Sequence, residues 1–156
     1  MAVSTDVIGR ALPVSTVDVE RGRLAFFATA IGETDPVYSD LAAARAAGHP
    51  DLPVPPTFLF GLEMAGADPF ALFTELGIDL RRVLHGEQSF TYHAVAHAGE
   101  TLTVAPCIAD VYSKKGGALE FIVKETSISR SDGTVVAELR NTIVIQNPAQ
   151  NTEVPR

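Results

Sequence analysis

Residues 82 to 146 constrain the fold most. They read as four strand-length segments in direct succession, rich in β-branched residues and joined by turns too short to hold a helix. The segments are "RVLHGEQSFTYHAV", "TLTVAPCIADVYS", "ALEFIVKETSISR" and "TVVAELRNTIVIQ", separated by "AHAGE", "KKGG" and "SDG". Parallel neighbours need crossovers of a dozen or more residues, so strands this closely spaced pair antiparallel. The "SDG" turn is a strong hairpin signal.

The first half has a different texture. Leu24, Phe27, Ala28 and Ile31 fall at i, i+3, i+4 and i+7, one face of a helix that Gly32 stops. "SDLAAARAAG" is a second short helix, with Ser39 or Asp40 as its cap and Gly48 as its terminator. "HPDLPVPP" places four prolines in eight residues, which excludes regular structure. "PTFLFGLEMAG" then opens with Pro at a first-turn position and is apolar almost all round, the mark of a buried helix. "DPFALFTELG" is a further helix, opened by Asp68-Pro69 and closed by Gly77. These elements predict one α+β domain over residues 1–146, with a polar, frayed tail at 147–156.

Composition narrows the function classes. A chain of 156 residues with 46% hydrophobic and 20% charged residues suits one globular domain. No apolar run approaches a membrane span, and "MAVSTDVIGR" lacks the features of a signal peptide. The single cysteine, Cys107, forms no internal disulfide, which fits a reducing cytoplasm. A net charge of −7 argues against nucleic acid. His49, His85, His93 and His97 raise a metal site, but no cysteine or clustered carboxylate completes a ligand set, so no metal is expected.

Three segments in order, "FFATAIGETDPVYSD", "LPVPPTFLF" and "HGEQSFTYHAVAHAGETLTV", resemble the MaoC-like hydratase/dehydratase family of the hot-dog superfamily over roughly residues 10 to 146. The likeness is to the N-terminal-type MaoC domains, which include the non-catalytic subunits of mycobacterial 3-hydroxyacyl-carrier-protein dehydratases. It implies a hot-dog fold, an antiparallel sheet wrapped around a central apolar helix. It also implies an acyl thioester substrate carried on coenzyme A or phosphopantetheine, with no cofactor of the protein's own. The expected assembly is a homodimer, or a heterodimer with a catalytic MaoC-like subunit, since a single hot-dog does not close its own groove.

Active members of the family carry Gly-Asp-x-Asn-Pro-x-His, whose Asp and His hold the water that adds across an enoyl thioester. Acid and base on one water is what that chemistry requires. Here Gly32 and Pro36 match, but Glu33 replaces the Asp, Asp35 the Asn and Tyr38 the His. A phenol with an ordinary pKa of about 10 is a weak base at neutral pH. Where the family has His-Gly before the central helix, this chain has Pro56-Thr57. Thr57 keeps a backbone N–H that the resemblance implies as an oxyanion donor. The expectation is a dyad-deficient hydratase or dehydratase subunit.

The plainer readings are weighed beside this one. Glu33 near a helix C-terminus is mildly unfavourable there, Asp35-Pro36 is a common turn device, and Tyr38 suits a half-buried aromatic. Glu63 lies on the apolar helix, where a carboxylate is costly unless paired or functional. It would serve a hot-dog thioesterase as its acid, or sit at an exposed helix end or against an arginine. Phe58 and Phe60 are core candidates that, with Pro56, line the substrate path in the family. Arg81, Arg82 and Lys114 are the candidate phosphate contacts. A third alternative is an acyl-thioester binding module that keeps the tunnel without the reaction.

Overall fold

The computed structural model describes residues 3–66 and 68–147. The expected strands form β2 (Val83–Tyr92), β3 (Thr101–Lys114), β4 (Leu119–Arg130) and β5 (Val135–Gln146). A further strand, β1 (Ser15–Asp18), joins them. All neighbours pair antiparallel in one five-stranded sheet of order β1-β3-β4-β5-β2. β1 escapes sequence reading because it is four residues long and buries only Val17, too little for a period-2 pattern.

Three register shifts shape the sheet among the described residues. The first falls between Ile108 and Asp110, the second between His85 and Glu87, and the third between Ile128 and Ser129. At the second, Gly86 leaves no room for a side chain: a Cβ there would stand 2.7 Å from Val144 Cγ2 and 3.1 Å from the Thr142 carbonyl oxygen. A side chain there would force Val144 to shift, so the bulge favours glycine, and it changes the register of β2 against β5.

The helices are α1 (Arg21–Ala30), α2 (Leu41–Ala46), α3 (Phe58–Leu62) and α4 (Ala71–Glu75). Leu24 and Ala28 are the buried face of α1, while Ile31 lies past its end and is exposed. Asp40 caps α2 by accepting the Ala43 N–H at 2.8 Å. Gly48 and Gly77 take positive φ after α2 and α4, as helix-terminating glycines do.

The central helix is shorter than its apolar run suggests. It holds five residues and continues as a single 3₁₀ turn, Glu63–Ala65. Gly61 lowers the helical preference inside the run, and Gly66 leaves it in an extended conformation. It is apolar-buried on one side only: Phe58, Leu59 and Leu62 point inward while Met64 is exposed. Each inward side chain contributes on the order of 1.5–3 kcal/mol by leaving water.

These residues pack with Leu24, Leu102, Val104, Ile128 and Leu139 into the main core between α3 and the sheet. A second cluster, Leu12, Phe73, Ile108, Ile122, Ile143 and Ile145, lies under α4. The sheet thus curls around α3 while α4 covers its far end. The predicted tail begins at Asn147, and residues 148–156 lie outside the described residues.

Candidate functional site

The loop between α1 and α2 has its shape fixed by its own acids. Glu33 Oε1 accepts the backbone N–H groups of Thr34 at 2.8 Å and Asp35 at 2.9 Å. Asp35 Oδ1 accepts the Val37 N–H at 3.0 Å and caps a 3₁₀ turn, Pro36–Tyr38. Both carboxylates are exposed, and Tyr38 is half-buried at the end of that turn. Val37 packs against the core around α3, which anchors the loop beside the central helix. The loop therefore has a defined fold, but its acids are engaged in holding its backbone rather than aimed jointly at one point.

Thr57 stands at the N-terminus of α3, exposed, with no side-chain cap bond. The Phe58 N–H is already bonded to the Pro55 carbonyl at 2.9 Å. Thr57 and the half-buried Phe60 line a groove of about 410 Å³ with His85, Gly86, Gln88 and Phe90 of β2. The Phe60 and His85 rings meet edge to face, centroids 5.6 Å apart. Pro56 lines a neighbouring groove of about 320 Å³ with Leu59, Tyr92, His93 and Val95. Both grooves open along β2, the edge strand of the sheet. Leu84, Tyr92 and Val95 leave apolar surface exposed there. Burial nevertheless raises the Tyr92 phenol above its ordinary value.

Other sequence candidates take structural places. Phe58 is 6% exposed and packs edge to face on Phe27, with Arg23 over its ring, so it belongs to the core. Arg81 is paired with Asp79, and that hydrogen bond lowers the Asp79 carboxyl to about 2. Arg82 donates to the Gln146 carbonyl at 2.6 Å and to Asn147, tying the start of β2 to the end of β5. Lys114 lies beside the stacked rings of Tyr112 and Phe121 at the tip of the β3–β4 hairpin. None of these three cations lines either groove beside Thr57 and Pro56.

Glu63 is buried, its side chain only 3% exposed. Oε1 accepts from the Thr126 hydroxyl, and Oε2 meets Lys124 Nζ at 2.6 Å. The partner is thus a lysine on the core face of β4, neither an arginine nor an exposed helix end. Held by two groups and almost fully buried, this carboxylate is poorly placed to attack or deprotonate a substrate. The even spacing of Glu120, Ile122, Lys124, Thr126 and Ile128 puts Lys124 on the core face, and that alternation was the available signal.

A chain of polar groups also joins the end of α2 to the sheet. His49 Nδ1 lies 3.1 Å from His97 Nε2, and His97 Nδ1 lies 3.3 Å from Glu100 Oε1. Arg130 Nε donates to Glu100 Oε2 at 2.7 Å. Burial alone would raise the Glu100 carboxyl, but the bonds from Arg130 and His97 outweigh it and hold the group below its ordinary value. His93 instead meets Glu138 on the surface. Among the described residues, no three His, Cys, Asp or Glu side chains gather to hold a metal ion.

The fold defines a hot-dog protein of the MaoC-like dehydratase type. The chain belongs to the family described as the FAS1-like, dehydratase domain region, whose model matches residues 6–139. It is 36% identical over 138 residues to the UPF0336 protein SCO4636 of Streptomyces coelicolor, covering 88% of this chain and 92% of that one. Among solved structures it is similar to the ChsH1-ChsH2 complex of Mycobacterium tuberculosis, with 28% identity, a TM-score of 0.71 and 90% of each chain covered. The HadBC (3R-hydroxyacyl-ACP dehydratase) complex of the same organism shares the fold at 24% identity and a TM-score of 0.77, covering 90% of this chain and 98% of that one. No helix among the described residues is long and apolar enough to cross a membrane.

Proposed function

We propose that this chain is the dyad-deficient subunit of an enoyl-thioester hydratase, or 3-hydroxyacyl-thioester dehydratase, and works in the cytoplasm beside a MaoC-like chain carrying the Asp and His. The observation that carries this reading is the state of the loop. Glu33 and Asp35 bond their own turn, and the family resemblance sets Tyr38 against the position of the imidazole base. Hydration places hydroxide on the β-carbon of the enoyl group and a proton on its α-carbon, which calls for a base and an acid on one water. Glu33 and a phenol lack the imidazole that takes up and returns the proton in that step.

The partner half of the reading rests on β2. A ten-residue edge strand with apolar grooves on its flank is open to pairing with another sheet, and leaving it uncovered invites aggregation. Pairing there would place the second chain's catalytic loop along the grooves lined by Thr57, Phe60 and Pro56. The assembly of the two mycobacterial neighbours from different chains supports a heteromer. The thioester would be carried on coenzyme A or a phosphopantetheine arm.

The test is loss of enoyl absorbance from crotonyl-CoA. The isolated chain is expected to give no turnover, and a complex with a co-expressed hot-dog chain bearing Gly-Asp-x-Asn-Pro-x-His to give turnover lost with that chain's His. Turnover by the isolated chain that disappears in Glu33→Ala would overturn the reading.

A further inference from the structure

A further cavity lies at the other end of the central helix, away from the loop and from β2. It holds about 390 Å³ between the N-terminal arm, the turn Glu63–Ala65, α4 and the core face of β3 and β4. Its walls are largely apolar, with Leu12, Leu72, Val104 and Pro106 contributing, and the Arg10–Glu75 ion pair stands at its rim. Glu63, Asp68 and Lys124 also line it.

Glu63 Oε2 is buried and meets Lys124 Nζ at 2.6 Å, while the lysine side chain keeps 18% of its surface. That ion pair balances the charge and takes one of the three ammonium donors. No other acceptor is bonded to Nζ among the described residues, so the remaining donors border the cavity.

We propose that this cavity binds a compact neutral amphiphile, an apolar body of roughly eight carbons whose ketone or hydroxyl oxygen accepts a hydrogen bond from Lys124. The charge balance selects that class. A carboxylate would bring a second anion beside Glu63 in a desolvated site, and an amine would face the ammonium. A plain hydrocarbon leaves the Lys124 donors unfilled. A neutral acceptor oxygen fills them at no cost in charge. The site stands independently of the hydratase reading, because it needs neither the loop nor a partner chain.

Binding is tested directly on the full-length protein by calorimetry and by amide chemical-shift mapping, with 2-octanone and octanoate as probes. The expected result is saturable 2-octanone binding, shifts centred on Leu12, Leu72 and Val104, and affinity at least roughly tenfold above octanoate. Leu72→Trp fills the cavity and abolishes binding of both probes. Glu63→Gln combined with Lys124→Met removes both charges together, so no unpaired charge is left to unfold the protein. That variant loses the preference for the ketone by roughly tenfold. Absence of shifts with 2-octanone up to its solubility limit, octanoate binding as tightly as the ketone, or undiminished preference in the double variant would each overturn the assignment.

Discussion

Replacing Lys124 by Met is the sharpest test of the packing beneath the central helix. The substitution keeps most of the volume and removes the ammonium 2.6 Å from a carboxylate that is 3% exposed. At an effective dielectric constant of about 20 the gross attraction is on the order of 6 kcal/mol, most of it offset by the desolvation of both ions. Breaking such a pair from one side leaves a buried charge facing an apolar cavity. Among the described residues, the Thr126 hydroxyl remains its one hydrogen-bond donor. The expected loss is about 3–5 kcal/mol, or roughly 6–20 °C in Tm for a domain of this size. Urea denaturation reads it as a shift of midpoint at constant slope. Two controls isolate the cause. Arg140→Met breaks an ion pair with Glu125 in which both partners are half exposed, and is expected to lose under about 1 kcal/mol. The double variant Glu63→Gln/Lys124→Met is expected to recover most of the stability. A Lys124→Met loss no larger than that of Arg140→Met would refute the account of Glu63 as a charge held in place by its lysine.

Three further outcomes follow from local geometry. Gly86→Ala puts a methyl 2.7 Å from Val144 Cγ2 at the β2 bulge and should cost about 1–3 kcal/mol by chemical denaturation; a neutral effect would mean the bulge yields freely. Asp40→Ala removes the acceptor that caps α2 and should cost about 1 kcal/mol, while Asp40→Asn should cost less. The Asp51 carboxyl is lowered to about 2, first by the Arg21 hydrogen bond and then by the Leu52 N–H. A lowered folded value means that its contribution is present above the ordinary value near 4 and lost as pH falls toward about 2. The contribution is modest because Arg21 is half exposed. A carbon-detected NMR titration should give a midpoint near 2 that rises in Arg21→Gln; an ordinary midpoint in the unaltered protein would contradict the pairing.

The sequence by itself determined the elements whose cause is local. The turns at "KKGG" and "SDG", the alternation along β4 and β5, and the glycines after α2 and α4 act within a few residues, so their signals lie side by side in the chain. The loop could be read for the same reason: Gly32, Glu33, Asp35, Pro36 and Tyr38 form one contiguous motif whose substitutions are visible without coordinates. What depends on groups far apart in sequence was decided only by the tertiary structure. Thr126 and Lys124 come from β4 to meet Glu63, and His97 and Glu100 from a turn to meet His49. β1 becomes a strand because β3 offers it an edge. The apolar run at Phe58 to Leu62 marks burial but not length, since Gly61 and the covering sheet set where the helix ends. Arg81, Arg82 and Phe58 carry side chains suited to a substrate, yet pairing with Asp79, bonding to the end of β5 and packing on Phe27 give them other work. Residue type records what a side chain can do, and the partners that folding brings within about 3 Å decide which of those options is taken.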